Sequence, residues 1–358
     1  MRAFTQDVRF TRSADGTRLA WAVHGQGYPL VRAAHWLTNI DLDWQTPMWR
    51  PWFDALGERY RVHRYDSRGC GLSDRDATDA SLDVLVADLE AVVDAAGLER
   101  FALLGTSQGG AVSIAYSVRH PERVSHLVLL GAFARGPLRR QPTPDEIESF
   151  RAQVKLIETG WAQDNPAFLQ LFTSQFFPNA TPEQARSFND LQRMSCSPRH
   201  AAHLVSTFSD IDASAYLPLV SCPALVLHTR GDMCAPFDEG VFLASSIPGA
   251  RLVPLETRSH VPTYGEPSFD RVIEEIDAFV GAHDAAAAAF PDLTRRERQV
   301  LDHIARGLDN AQIAAHLELS EKTIRNNITA IFDKIGVENR SQAIVQARDA
   351  GLGAEPRR

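Results

Sequence analysis

Cysteine is scarce in this 358-residue chain: four residues, at 70, 196, 222 and 234, with no Cys-x-x-Cys pair and no zinc-site spacing. That pattern excludes a disulfide-framed secreted scaffold, and it predicts reduced, mostly structural thiols in a cytoplasmic protein. No run of about 18 apolar residues occurs, so no membrane span is expected. The first residues, Met1 to Asp7, lack the apolar core of a signal peptide. No group of histidines, cysteines or carboxylates stands at ligand spacing, so no metal and no cofactor are called for. What is present is the make-up of a globular protein, 44% hydrophobic and 23% charged, long enough for one large and one small domain.

The net charge of -8 argues against a nucleic-acid partner only until it is divided. From Pro291 onward, 11 Lys/Arg stand against 10 Asp/Glu, and the acidic excess belongs to the remainder. Local charge matters more than the total for DNA, so the C-terminal segment is permissive for it.

Up to Val280 the chain alternates strands and helices. A hairpin turns at Asp15-Gly16-Thr17, and Gly25 to Pro29 reads as a second turn. Strands follow at 30–34, 61–65, 101–104, 125–130, 223–228 and 251–255, with helices between them, one of them from Leu82 to Ala96. This rhythm means right-handed crossovers and a mostly parallel sheet. It is interrupted at about 139–210, where four proline-opened helical patterns without a strand read as a cap. Residues 1–282 form this α/β domain, the alanine-rich stretch 283–290 is a linker, and 291–358 is a second, all-α domain. The five alanines of the linker can extend a helix.

The chemistry centres on Gly105-Thr106-Ser107-Gln108-Gly109, a Gly-x-Ser-x-Gly between a strand and a helix. This nucleophile elbow places a serine on a tight turn at a helix N-terminus. Asp232 and His260 follow later strands, in the chain order nucleophile, acid, base. His260 is the base for Ser107, and Asp232 orients it. The backbone N–H groups of Gln108 and Leu37 are the expected oxyanion donors. Trp36 and His35 border that loop and, with Trp44, are pocket candidates. Trp44, Trp49 and Trp52 suit a pocket mouth and ordinary packing equally. Asp66 and Arg68 are expected to brace the Gly-rich turn at 66–74.

In the second domain Thr294 and Glu297 form a capping box, and Ser320 caps a helix over 321–335. Its apolar face is Ile324, Ile328, Ile331 and Ile335. The opposite face carries Lys322, Arg325, Asn326 and Thr329. Two short helices with such a polar outer face read as a helix-turn-helix, its polar residues suited to phosphates and base edges.

Two resemblances follow. Leu293-Thr294-Arg295-Arg296-Glu297, Ile304-Ala305-Arg306-Gly307, Thr323-Ile324-Arg325 and Lys334-Ile335-Gly336-Val337 resemble the LuxR/GerE-type domain. That implies a four-helix unit binding double-stranded DNA as a dimer. Asp66-x-Arg68-Gly69-x-Gly71-x-Ser73, the elbow, Gly231-Asp232 and Ser259-His260 resemble the α/β-hydrolase superfamily. That implies a capped serine esterase, lactonase or related enzyme. The chain departs from its families at Trp36, where a glycine is usual, and at Asp309 and Asn327, where Ser and His are common. The joint expectation is a homodimeric transcriptional regulator that senses, and can hydrolyse, a small ester- or lactone-like molecule. The alternative is an efficient hydrolase whose appended domain controls its own pathway genes.

Overall fold

The N-terminal hairpin forms as expected. β1 (Asp7–Arg12) and β2 (Arg18–Gly25) pair antiparallel, and Asp15 Oδ1 accepts the Thr17 N–H at 3.0 Å to close the turn. The computed structural model describes residues 4–353 except 78, 164, 165, 291, 318 and 351, and omits the side chains of 166, 282–288 and 295. Most of the expected linker's side chains therefore lie outside the described residues.

The chain continues through β3 (Tyr28–Arg32), α1 (Ile40–Asp43), α2 (Arg50–Gly57), β4 (Tyr60–Tyr65), α3 (Leu82–Ala95), β5 (Phe101–Thr106), α4 (Gly109–Arg119) and β6 (Val124–Leu130). Tyr28 and Pro29, expected in a turn, open β3. Pro29 is tolerated there because a strand's start can lack one ladder donor. The cap follows as α5 (Pro144–Gly160), α6 (Pro166–Phe176), α7 (Pro182–Ser195) and α8 (Pro198–Ser209). Thr143 and Thr181 cap α5 and α7 in full capping boxes with Glu146 and Gln184. The sheet then resumes with β7 (Ala224–Thr229), α9 (Phe237–Ser246) and β8 (Arg251–Leu255).

The eight strands lie in the order β1-β2-β4-β3-β5-β6-β7-β8, with every pairing from β4–β3 onward parallel. All side chains of β5, β6 and β7 are buried, as expected for parallel strands covered on both faces. The loops after β5, β7 and β8 carry Ser107, Asp232 and His260 at the C-terminal edge of the sheet, the edge at which such sheets bind ligands.

α10 spans Pro267–Ala289, beyond the stop expected at Val280. Alanine has the highest helix propensity, so the run at 285–289 continues the helix. The chain divides into two compact units, Met1–Glu274 and Glu275–Arg358, within this helix. The second unit adds α11 (Arg295–Ala305), α12 (Asn310–Leu317), α13 (Glu321–Ile335) and α14 (Arg340–Asp349). Val300, Leu301, Ile304, Ile313, Ile324 and Ile331 form its core. Among the described residues no helix is long and apolar enough to cross a membrane.

Candidate functional site

Ser107 sits between the last residue of β5 and the first of α4 with φ of 54°, in the left-handed region. An L-residue there costs about 1–2 kcal/mol. Two backbone bonds hold it: its N–H donates to Leu130 O at 3.2 Å, and its carbonyl accepts the Gly110 N–H at 3.0 Å. The glycines that follow are required by close approach. A Cβ at Gly109 would stand 2.8 Å from Ala34 O, and one at Gly110 2.5 Å from Ala132 Cβ. The elbow is therefore pressed between the loops after β3 and β6.

Asp232 lies in the loop after β7. Its Oδ1 accepts the N–H groups of Cys234 at 2.8 Å and Ala235 at 3.0 Å. Its Oδ2 accepts from His260 Nδ1 at 2.6 Å. Burial opposes the Asp232 charge, but the charge and hydrogen bond of His260, with the two backbone donors, outweigh it and hold the carboxyl below its ordinary range. When the ring is neutral, Nδ1 donates to the carboxylate and Nε2 of His260 is left as the acceptor nitrogen. It is buried, and it has no hydrogen-bond partner among the described residues. Ser107 and His260 meet the same short stretch of backbone. Ser107 N–H is bonded to Leu130 O, and a Cβ on the next residue, Gly131, would lie 3.2 Å from His260 Cε1.

The loop bearing His260 is stapled by Glu266, which accepts from Ser259 Oγ at 2.8 Å, Thr263 Oγ1 at 2.7 Å and Thr263 N at 3.0 Å. The cap also grips it. His260 N–H donates to Phe176 O, at the end of α6, at 2.8 Å. The Phe176 and His260 rings meet edge-on at 5.6 Å.

Leu37 also has positive φ, 52°, whereas Trp36 does not. The conformational demand on this loop thus falls one residue after Trp36, and no glycine is needed at 36. His35 governs the loop's orientation. Its Nε2 faces the Arg32 guanidinium, which can only donate, so Nε2 is the acceptor and Nδ1 carries the proton. Nδ1 then donates to Trp36 O at 2.9 Å. The Trp36 carbonyl and the Leu37 N–H belong to one planar trans peptide and point oppositely. Fixing the carbonyl toward His35 aims the N–H away from it. Among the described residues neither the Leu37 nor the Gln108 N–H donates to a main-chain carbonyl. Burial, then the Arg32 charge, pushes the His35 pKa well below its ordinary value, so the ring stays neutral.

The pocket candidates take different places. Trp36 is buried and meets Trp161, just beyond α5 of the cap, edge-on at 6.0 Å. His35 lines a small cavity with Arg32, Thr38, Asp43 and Arg64. Trp44 stacks on Phe53 and lies under the Arg50 guanidinium, and its ring contacts with His24 and Phe53 do not include the triad. Trp49 sits between His35 and Phe177 of the cap, and Trp52 Nε1 donates to Pro262 O at 3.0 Å.

The Gly-rich turn is braced as expected, though by partners that sequence reasoning missed. Asp66 accepts the N–H groups of Ile40 and Leu72, each at 2.8 Å. Arg68 makes a two-pronged pair with Asp88 at 2.6 and 2.7 Å and reaches Asp15 at 2.8 Å. These carboxylates and Glu266 carry no local motif. Only their contacts identify them.

In the second unit, Ser320 caps α13 through the Thr323 N–H at 3.1 Å. Ile324 and Ile331 are buried, while Lys322, Arg325, Asn326 and Thr329 are exposed. Asp309 and Gln312 cap α12 reciprocally at 2.8 and 2.9 Å, which gives Asp309 a structural role. Glu297 accepts the Thr294 N–H at 2.7 Å and also the Lys334 ammonium at 2.7 Å, tying α11 to α13.

Residues 39–267 match the alpha/beta hydrolase fold family, and residues 291–347 match the luxR family of bacterial regulatory proteins. The chain is 31% identical to the AB hydrolase superfamily protein YisY of Bacillus subtilis over 68% of its own length and 88% of that protein. It is 29% identical to a 2-hydroxy-6-oxononadienedioate/2-hydroxy-6-oxononatrienedioate hydrolase of Paraburkholderia phymatum, over 68% and 81%. Among solved structures, an esterase from Exiguobacterium antarcticum superposes with a TM-score of 0.64 at 26% identity, covering 76% of this chain and 98% of that one. The chain belongs to the α/β-hydrolase fold family and carries a C-terminal helix-turn-helix domain of the luxR type.

Proposed function

We propose that this protein is a DNA-binding transcriptional regulator whose hydrolase-fold domain senses, and turns over, a small ester- or lactone-like molecule. The observation that carries the chemical half is the Asp232–His260 hydrogen bond of 2.6 Å, which leaves a buried Nε2 with no partner among the described residues, while Ser107 and His260 both lie against the Leu130–Gly131 backbone. In this reading Ser107 Oγ attacks the acyl carbon while His260 Nε2 takes its proton and later delivers it to the leaving oxygen. Asp232 stabilises the imidazolium. The N–H groups of Leu37 and Gln108 bind the oxyanion, with Leu37 aimed by His35 and Arg32. Trp36 and the cap aromatics supply an apolar wall that suits an uncharged acyl group.

The regulatory half rests on the exposed row Lys322, Arg325, Asn326 and Thr329 on α13. Such a face supplies phosphate contacts from its cations and base contacts from Arg325 and Asn326. The protein acts in the cytoplasm as a homodimer on double-stranded DNA. The completeness of the Asp232–His260 geometry favours a second reading, an efficient hydrolase whose appended domain controls its own pathway genes.

A fluorophosphonate probe tests the chemistry. The parent protein should label and Ser107→Ala should not; an unlabelled parent overturns the catalytic part. DNA pull-down with sequencing tests the regulator. Discrete sites enriched by the parent and lost in Arg325→Ala are expected, and no enrichment by the parent overturns it. Turnover of a bound metabolite many times per promoter-release event would favour the second reading.

A further inference from the structure

Beside the Asp232–His260 pair stands a thiol that the proposed chemistry does not use. Cys234 follows Asp232 by two residues, and its N–H donates to Asp232 Oδ1 at 2.8 Å. Of the four cysteines, 70, 196 and 222 are buried, and Cys234 alone is partly accessible. One ligand-capable atom from each of Asp232, Cys234 and His260 lies within 4.8 Å of the other two. The grouping is hidden in the sequence because 28 residues separate Asp232 from His260.

A carboxylate oxygen, a thiolate sulfur and an imidazole nitrogen make a donor set that suits Zn²⁺ and its softer congener Cd²⁺. Three protein donors with a fourth position left to solvent or ligand is the coordination of an open zinc site. Among the described residues, His228 Nε2 lies 3.8 Å from Asp232 Oδ2 but is engaged by Ala235 O at 2.9 Å.

We propose that Asp232, Cys234 and His260 form a binding site for a borderline-to-soft divalent cation of the Zn²⁺ class, and that occupancy switches off Ser107. The site stands on its own donor geometry, and only its consequence rests on the hydrolase reading. When the ion binds, the Cys234 thiol loses its proton to solvent as the metal–sulfur bond forms. The His260 nitrogen beside Asp232 gives up its proton and takes the ion. The ring stays neutral, so that proton moves to Nε2. Nε2 is then a donor and no longer an acceptor, and the general base of the hydrolase reading is lost. The Asp232–His260 contact of 2.6 Å has to widen to admit the ion, so binding competes directly with the catalytic arrangement.

The test uses full-length protein stripped with a chelator and titrated with Cd²⁺, read by thiolate-to-cadmium charge-transfer absorbance. A plateau at one equivalent is expected in the parent and no band in Cys234→Ser, which keeps the backbone N–H that holds Asp232. His260→Gln should weaken binding by about tenfold or more. Cys234→Ala, matched to the parent by tryptophan emission, gives a second check against misfolding. Zn²⁺ should displace Cd²⁺, slow fluorophosphonate labelling of the parent, and leave labelling of Cys234→Ser unaffected. The absence of a band in the parent, or an equal band in Cys234→Ser, overturns the proposal. A band without any serine labelling removes the hydrolase reading and leaves the metal site standing. Labelling without a band does the reverse.

Discussion

Replacing Ser107 by glycine and by alanine separates the strain at the elbow from the chemistry of its hydroxyl. At φ of 54° any residue with a Cβ pays a steric penalty of about 1–2 kcal/mol that glycine escapes. Glycine loses about 0.5–1 kcal/mol relative to alanine through its freer unfolded chain. The difference leaves Ser107→Gly more stable than Ser107→Ala by about 0.5–1 kcal/mol, the reverse of their order at an ordinary helical position. Both variants lose the same hydroxyl, so desolvation and hydrogen bonding cancel in the comparison. The readout is selective. All six tryptophans (21, 36, 44, 49, 52 and 161) lie in the first unit, and tryptophan emission during urea unfolding reports that unit alone. For a unit of this size the shift amounts to about 1–3 °C in thermal midpoint. A Ser107→Gly variant no more stable than Ser107→Ala would refute the claim that the elbow stores backbone strain.

Three further outcomes are expected. His35→Phe removes the Nδ1–H bond to Trp36 O and frees the peptide that bears the Leu37 N–H, so the second-order rate of fluorophosphonate labelling should fall about tenfold or more; an unchanged rate removes His35 from the oxyanion loop's support. His63 is buried with neither ring nitrogen partnered among the described residues, and burial depresses its pKa to about 4. A depressed histidine contributes stability above its unfolded pKa of about 6.5 and loses it as pH falls toward the folded value, so His63→Leu should outlast the parent by about 2.5 kcal/mol at about pH 4.5 and differ far less near neutrality, in urea titrations at both pH values. Glu297→Ala breaks the α11 capping box and strands Lys334, which should speed amide exchange across Arg295–Ala305 about tenfold, while Glu297→Gln, which keeps an acceptor for the Thr294 N–H, should recover part of the protection.

Local chemistry is what the sequence makes legible. The elbow at Ser107, the capping box at Thr294 and Glu297, and the prolines opening the cap helices are each written in a few adjacent residues, and each forms. The chain order of Ser107, Asp232 and His260 could be read because each follows a strand with its own apolar signature. Long-range polar pairing could not be read this way. Nothing near Arg68 points to Asp88, 20 residues away, and nothing near Phe176 points to the backbone of His260. His35 was visible as a neighbour of the oxyanion loop. Its role in orienting a peptide depends on Arg32 setting its tautomer, and that is a matter of two side chains meeting. Where alanine continues a helix past Val280, composition offered both a linker and a helix, and propensity chose the helix.

The bond from His260 N–H to Phe176 O makes the reach of the imidazole depend on where the cap rests. A molecule small enough to fit beneath a seated α6 meets a fully supported histidine. One bulky enough to lift that helix withdraws the acceptor from the histidine's own backbone. On the hydrolase reading proposed above, size alone would then divide visiting molecules into those that are consumed and those that are merely held, with no residue devoted to telling them apart.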